Sequence, residues 1–210
     1  ADTCEQAVFQ SMVEQPVARA LARGTDVTVL AYGQEGSGRS HTIFGPPGVH
    51  ERTCLDDDDV SRHGVAFRFA WQLFASLRED ELRSRQRSEV RTTWVRCSYF
   101  LLYEERAVDL LSKAQHTPSF VDCKISEEQQ GIPRTHMAGM SQEFACSSEQ
   151  LVELLNYGHQ SGLLAERHLG VSRSHSHRIL TVEVRQPLFL LSPPLSLSLF
   201  LSLPLSSSLP

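Results

Sequence analysis

The stretch V-T-V-L-A-Y-G-Q-E-G-S-G-R-S-H, residues 27–41, decides the fold of this chain. Residues 27–32 form a near-continuous apolar run, which predicts a buried β-strand. A glycine-rich turn and a helix-like segment follow. The spacing of Gly33, Gly38 and the pair Arg39-Ser40 fits the phosphate-binding loop pattern G-x(4)-G-K-[ST], with Arg in place of Lys.

Each part of this loop has a physical role in binding phosphate. The glycines let backbone N–H groups curl around phosphate oxygens without a clash from Cβ atoms. The N-terminus of the following helix adds partial positive charge. Ser40 supplies the hydroxyl expected to hold Mg²⁺, and Arg39 supplies the cation expected to span the outer phosphates. The stretch therefore predicts a nucleotide site.

Composition narrows the class of protein. A chain of 210 residues is long enough for one sizeable domain with a buried core. Its net charge of −5 gives no global basic surface for nucleic acid or membrane. The five cysteines are scattered, form no C-x-x-C pair and follow no secretory signal, which favours a reduced intracellular compartment.

Periodicity predicts helices and strands in alternation. We expect a helix over residues 1–23 with a kink at Pro16 and an end at Gly24. Further helices are predicted over 65–77 and from Ser147 or Ser148 to about 157, with Gly158 as terminator. Strands are predicted over 27–32, 90–103, 120–125, 131–140 and 176–184. Strands interleaved with helices around a phosphate loop imply an α/β core with a largely buried sheet.

Three sequence motifs together resemble the kinesin motor domain. Residues 31–45, A-Y-G-Q-E-G-S-G-R-S-H-T-I-F-G, are similar to its phosphate loop, A-Y-G-Q-T-G-S-G-K-T-x-T-M-x-G. Residues 98–111 resemble S-Y-x-E-I-Y-x-E-x-x-x-D-L-L, and residues 172–175, S-R-S-H, resemble the end of the switch I signature N-x-x-S-S-R-S-H. Their order and approximate spacing agree over roughly residues 1–186. The resemblance implies the three-layer α/β core of a P-loop NTPase.

The resemblance also implies site residues, ligands and a partner. ATP and Mg²⁺ would be the cofactors, and microtubules the partner of a cytoplasmic, cytoskeletal motor. Arg173 would be catalytic, as the switch I ion-pair residue that closes the site around the γ-phosphate. Ser40 and Ser172 would ligate Mg²⁺. The residues implied to contact the nucleotide are Gly33, Gln34, Glu35, Gly36, Ser37, Gly38, Arg39, Ser40 and His41.

Departures from the family pattern predict weakened chemistry. Arg39 is bulkier than the usual Lys, and Glu35 brings negative charge close to the phosphates. Val171 supplies no hydroxyl where the first Ser of S-S-R is expected, and His168 replaces the Asn. We therefore expect weak nucleotide binding and largely lost hydrolysis. Two alternatives stay open: a non-catalytic nucleotide-binding or interaction fragment, and a non-functional mis-spliced product.

The resemblance implies an incomplete motor core, followed by a different kind of sequence. The early strands and everything from switch II onward are not recognised in the chain. Residues 187–210 contain only Leu, Ser, Pro and Phe, whose codons can be all pyrimidine. This composition predicts read-through of non-coding sequence, or a disordered tail. A membrane anchor over residues 188–205 is the alternative, although Pro193, Pro194 and Pro204 interrupt it.

One basic cluster leaves two interpretations open. It comprises Arg83, Arg85, Arg87 and Arg91 and follows the helix predicted over residues 65–77. It is either a solvated face or a contact for an acidic partner such as tubulin.

Overall fold

The computed structural model describes residues 7, 9–46, 63–86, 93–104, 106–113, 120–121, 124–127, 135–170, 175–185 and 195–202. The helices in this part of the chain are α1 (Gln15–Arg23), α2 (Arg39–Phe44), α3 (Val65–Gln86) and α4 (Ser148–His168). The strands are β1 (Val27–Tyr32), β2 (Trp94–Tyr103), β3 (Arg106–Asp109), β4 (Phe120–Val121), β5 (Lys124–Glu127), β6 (Thr135–Ala138), β7 (Glu143–Ala145), β8 (His177–Arg185) and β9 (Leu195–Ser202).

A π-helical segment, Gln10–Glu14, runs directly into α1. Pro16 lies in the first turn of α1. Residues there have no helical partner for their N–H groups, so a proline, which has no N–H, loses no hydrogen bond. The kink predicted at Pro16 stays a prediction, and the change in helix type falls just before the proline, where the π-helical segment ends. Gly24 ends the helix at φ +70°, and its N–H donates to the carbonyl of Ala20. The predicted terminator is confirmed.

A mixed seven-stranded sheet forms the centre of the protein. Its order is β1-β9-β8-β2-β3-β4, and β7 pairs with β2 on the same side as β3. The pair β1–β9 is parallel, and the other pairs in the sheet are antiparallel. Strands β5 and β6 form a separate antiparallel pair.

The main core lies on one face of this sheet. The side chains of β2 alternate, so that every second residue of Val95 to Leu101 is buried among the helices. Alternate residues of β8 from Leu180 to Val184 share that face. The opposite face carries a small cluster of Phe100, Ala107 and Ile179. The α/β architecture predicted from the sequence is thus present, with α1, α2, α3 and α4 contributing to the main core.

Two helices extend beyond the segments whose apolar periodicity predicts them. Helix α3 continues past residue 77 to Gln86, and Arg83 and Arg85 form ion pairs along the surface of this charged extension. Helix α4 continues to His168, so the prediction that Gly158 terminates it is wrong. Gly158 is buried, and a Cβ there would lie 2.2 Å from a ring carbon of Tyr99. The glycine serves close packing between α4 and β2.

Strand β9 is formed by part of the low-complexity tail. It lies between β1 and β8, with Tyr32 opposite Ser202 across the parallel pair. The alternation of Leu and Ser over residues 195–199 has the period of a strand, and the backbones of β1 and β8 supply hydrogen-bonding partners on both sides. This stretch therefore differs from the expected disorder. The read-through origin of residues 187–210 stays a prediction.

Candidate nucleotide-binding site

The glycine-rich loop joins the end of β1 to the start of α2, as the sequence predicts. The N–H of Ser37 donates to the carbonyl of Gln34 at 3.1 Å, which closes a tight turn inside the loop. The loop also bends back on itself at its base. A Cβ on Gly33 would lie 2.4 Å from Oγ of Ser37. A side chain at residue 33 would therefore force the Ser37 side chain to move.

Gly36 and Gly38 are required by their backbone conformation. Gly36 has φ +80° and Gly38 has φ +89°, in the left-handed region that other residues seldom adopt. A Cβ at either position would meet no atom within 4 Å, so backbone conformation alone demands glycine. The space above both residues is open. The loop thus has the curled backbone and accessible surface that a phosphate group needs.

The predicted cation and hydroxyl lie in the first turn of α2. Ser40 and His41 are exposed, and Arg39 is partly buried. Glu35 is exposed on the same glycine-rich loop, so its carboxylate is open to solvent. Thr42 locks the turn, because its N–H and its Oγ1 both donate to the carbonyl of Gly38, at 2.8 and 3.1 Å. The predicted residues therefore divide between the loop, residues 33–38, and the first turn of α2, residues 39–41.

Helix α2 is short but firmly packed at its far end. Its last residues, Ile43 and Phe44, are buried, and Gly45 ends it at φ +89°. Gly64 sits against this end, because a Cβ there would lie 2.4 Å from backbone atoms of Ile43 and Gly45. The helix that follows the phosphate loop is consequently anchored in the core at its C-terminal end.

The motif over residues 98–111 has a structural role. Tyr99 is buried against α4. The Asp109 carboxylate accepts hydrogen bonds from the N–H of Leu111 at 2.9 Å and from the N–H of Ser141 at 2.7 Å. Asp109 thereby fixes the turn after β3 and joins it to the chain that enters β7. The resemblance located this aspartate, but its two backbone partners could not be read from the sequence.

The switch I residues predicted from the resemblance, Ser172 and Arg173, lie outside the described residues, as does Val171. Their predicted roles stay predictions. The flanking His168 and His175 are exposed.

Beside this segment lies a buried polar cluster that sequence reasoning missed. Arg178 at the start of β8 donates to Glu166 on α4, with Nη2 at 2.7 Å and Nε at 3.2 Å from Oε1. The only signal in the sequence was a charged residue at an inward position of each element.

Two arginines of the basic cluster, Arg83 and Arg85, lie on α3 and form ion pairs with acidic neighbours. Arg83 pairs with Glu79 and Asp80, each at 3.1 Å, and Arg85 pairs with Glu81 at 2.6 Å. All of these pairs are at the surface, where each contributes well below about 1 kcal/mol. For the two arginines that the structure describes, the geometry favours the solvated face. Arg87 and Arg91 lie outside the described residues.

A strand, a glycine loop with two left-handed glycines and a helix, set in an α/β sheet, define a protein of the P-loop nucleotide-binding class. A family model of the kinesin motor domain matches residues 1–189. The chain therefore belongs to the kinesin motor-domain family.

Individual relatives agree with this assignment. The kinesin heavy chain of Botryotinia fuckeliana is 31% identical over 173 residues, covering 82% of this chain and 17% of that protein. StAR-related lipid transfer protein 9 of Mus musculus is 27% identical over 182 residues, covering 87% of this chain and 4% of that protein. This chain thus spans less than a fifth of the length of these curated relatives.

A solved structure matches the fold. It is titled "Structure of a fast kinesin: Implications for ATPase mechanism and interactions with microtubules" and is 26% identical, with a TM-score of 0.68. The match covers 94% of this chain and 49% of that one. The kinesin motor fold predicted from the sequence, with about half of that solved chain represented, is confirmed. No helix in the described part of this chain is both long and apolar enough to cross a membrane.

Proposed function

We propose that this chain binds Mg·ATP through residues 33–41, as the nucleotide-binding portion of a kinesin-type motor. One observation carries the proposal: the loop between β1 and α2 is closed at its base by Gly33 and Ser37 and curled at its tip by two left-handed glycines. Left-handed glycines let a backbone curl so that its N–H groups can converge on phosphate oxygens, and the space around Gly36 and Gly38 where a Cβ would stand is open. Residues 1–186 are proposed as the motor portion, and residues 187–210 as a separate tail.

The proposed roles follow from side-chain chemistry. Arg39 spans the outer phosphates as a cation, and Ser40 offers its hydroxyl to Mg²⁺. From the family resemblance, Ser172 is the second hydroxyl ligand to Mg²⁺ and Arg173 the residue that closes the site around the γ-phosphate. From the same resemblance, His41 would stack on the adenine ring. A bound Mg²⁺ would neutralise charge on the phosphates.

We further propose that hydrolysis is much weaker than nucleotide binding. The exposed Glu35 places negative charge on the loop itself. In P-loop NTPases the metal is held by the loop hydroxyl together with an acidic residue. Strand β9 runs beside β1 and parallel to it, yet its sequence L-S-L-S-L-F-L-S contains no carboxylate. This observation supports the second candidate function, a nucleotide-binding fragment without efficient catalysis.

The proposed partner is the microtubule, and the proposed location is the cytoskeleton of the cytoplasm. Both rest on membership of the kinesin family. Co-sedimentation of the purified chain with taxol-stabilised microtubules, with and without nucleotide, measures this directly.

The central experiment titrates the purified chain with a fluorescent ATP analogue and Mg²⁺, and then measures phosphate release with and without microtubules. We expect saturable binding that Ser40→Ala makes insensitive to Mg²⁺, and very slow phosphate release. Arg39→Lys should tighten binding and Arg39→Gln should weaken it by about tenfold. Gln160→Ala, at an exposed position of α4 outside the loop, is the control. Absence of binding, or rapid microtubule-stimulated turnover, would overturn the proposal.

A further inference from the structure

Strand β1 lies at one end of the seven-stranded sheet. In the described part of the chain β9 is the only strand that pairs with it, so the N–H and C=O groups along its other side meet no strand. Such an edge is a template for a further extended chain, because the exposed backbone groups supply a ready row of hydrogen-bonding partners.

The side chains of β1 also lack full cover. Its apolar run predicts a strand buried on both faces, but none of its residues is fully buried, because β1 lies at the sheet edge. On the face away from the main core, Leu30 is 56% exposed and Tyr32 is 65% exposed. The residues that pack against the main core are only half-buried: Val27, Val29 and Ala31. Both faces of β1 thus retain apolar surface that a neighbouring strand would cover.

This edge carries none of the features that usually protect an edge strand from pairing. Charged side chains, prolines and β-bulges are the common protection. The sequence V-T-V-L-A-Y contains no charge and no proline, and β1 pairs with β9 in an unbroken register from Val27 to Tyr32. The edge of β1 is therefore regular and open to another strand.

A second copy of β1 complements this edge. In an antiparallel pair centred on Leu30, Leu30 lies opposite Leu30 of the second copy, and Thr28 lies opposite Tyr32. Directly opposite residues point to the same face, so exposed residues meet exposed residues and the half-buried Val29 meets the half-buried Ala31. A shift of one residue would instead turn the exposed face of one copy toward the core face of the other.

The centred pair also extends a row of apolar residues that already crosses the sheet. The register places Leu30 beside Phe200 of β9, and Phe200 beside Ile179 of β8. Ile179 in turn lies beside Phe100 of β2, and these two residues belong to the small cluster on the outer face. A second copy would continue the row through its own Leu30.

We propose that β1 is a dimerisation edge, through which two copies of this chain pair antiparallel about a two-fold axis at Leu30. A two-fold contact of this kind closes on itself, so assembly stops at the dimer. Only residues 28–32 of each copy pair, which gives a small contact of the weak and transient class. Asp26 and Glu35 flank the strand with negative charge, and antiparallel pairing brings Asp26 of one copy toward Glu35 of the other. Because salt screens this repulsion, salt strengthens the association.

Sedimentation equilibrium of the full chain without nucleotide measures the association, from about 1 to about 100 μM and at low and high sodium chloride. We expect a monomer–dimer equilibrium whose dimer fraction rises with salt. Leu30→Lys should weaken dimerisation at least about tenfold, since a lysine on an edge strand disfavours pairing. Leu164→Lys is the matched control, because Leu164 on α4 is also 56% exposed. The control should dimerise as the parent does.

A charge swap tests the register of the pair. Thr28→Glu and Tyr32→Lys should each weaken dimerisation when made alone. Made together, they place the new carboxylate of one copy opposite the new ammonium of the other. The two positions are about 13 Å apart along one strand, so this ion pair cannot form within a single chain. We expect the double variant to dimerise more tightly than either single variant and to lose this advantage as salt rises.

Four outcomes would overturn the proposal. They are a parent chain that stays monomeric, assembly that continues beyond dimers, equal losses for Leu30→Lys and Leu164→Lys, and a double variant no tighter than the single ones. The rescue also separates loss of pairing from loss of folding, because an unfolded single variant would not regain association through a second charge. Residues 28–32 lie outside the proposed nucleotide loop, so a failure of ATP binding leaves these outcomes unchanged.

Discussion

Gly33 and Ser37 lie so close that a side chain on Gly33 would collide with the serine hydroxyl. A Cβ at residue 33 would stand 2.4 Å from Oγ and 3.1 Å from Cβ of Ser37. The two residues are therefore the point at which the phosphate loop closes on itself. The loop's shape depends on this contact as well as on the left-handed glycines at its tip.

Replacing Gly33 by Ala should open the loop at its base. We expect nucleotide affinity to fall at least about tenfold, with a loss of stability of about 1–3 kcal/mol from the forced shift of Ser37. Gly24→Ala is the control, since Gly24 has φ +70° and open space around its Cβ position. It should cost about 1 kcal/mol in stability and leave nucleotide affinity unchanged. Calorimetric titration and urea unfolding of both variants measure the two effects, and equal losses of affinity would contradict the prediction.

The local order of the chain could be predicted, because it depends on patterns a few residues long. The strand–loop–helix unit over residues 27–44 follows from the apolar run, the spacing of the glycines and the helix-like segment after them. Gly24 ends α1, as its position in the sequence predicts. A regular helical period places Met12 on the same face as the buried Phe9 and Val13, yet Met12 is exposed. The π-helical segment rotates the turns around it, which a regular helical period cannot anticipate.

Features that depend on distant contacts could not be predicted. Gly158 has the sequence context of a helix terminator, and only the Tyr99 ring beneath it explains why α4 continues. The Glu166–Arg178 pair joins residues on different elements, and a charged residue at an inward position of each element does not say which partner it meets. Strand β9 likewise lies between β1 and β8, two strands that are far apart in the sequence.

Replacing Gly158 by Ala should destabilise the protein even though alanine favours helices. Helix propensity alone predicts a gain of roughly 1 kcal/mol. The new Cβ would instead lie 2.2 Å from Cδ1 and 2.8 Å from Cε1 of Tyr99, so we expect a net loss of about 1–3 kcal/mol. Ser161→Ala on the same helix is the control and should be neutral or slightly stabilising. Thermal unfolding compares the two, and a stabilised Gly158→Ala variant would refute the close contact between α4 and β2.

Cys97 should resist alkylation in the folded protein. Burial, with a smaller contribution from the charge of Glu143, raises the pKa of its thiol to about 12. At pH 8 only about 1 in 10,000 of these thiols is ionised, and the thiolate is the reactive form. Cys146 is exposed and serves as the internal comparison. Peptide mapping after brief iodoacetamide treatment should find Cys146 labelled and Cys97 labelled only after urea is added. Rapid native labelling of Cys97 would show that the core around β2 opens.

Glu183 should make stability depend on pH in the acid range. It lies opposite Arg96 across β8 and β2 and accepts from Nε of Arg96 at 3.0 Å and from Nε of Arg185 at 2.9 Å. Burial acts to raise the pKa of Glu183, but the hydrogen bonds and charges of the two arginines outweigh burial and hold the pKa below its ordinary value of 4.5. A carboxyl with a lowered pKa stabilises the folded state fully above its unfolded value and loses that contribution as pH falls through the folded value.

Glu183→Gln therefore tests both the size and the sign of this effect. At pH 7 the variant should be less stable than the parent by about 1 kcal/mol, a modest figure because Arg96 and Arg185 are partly exposed. The difference should shrink as pH falls below about 4.5, because the parent carboxyl then becomes protonated as well. Glu153→Gln, at an exposed position of α4, should show little difference at either pH. Urea unfolding at pH 7, 5 and 4 measures all three proteins, and a difference for Glu183→Gln that widens toward pH 4 would mean that burial, rather than the two arginines, controls this carboxyl.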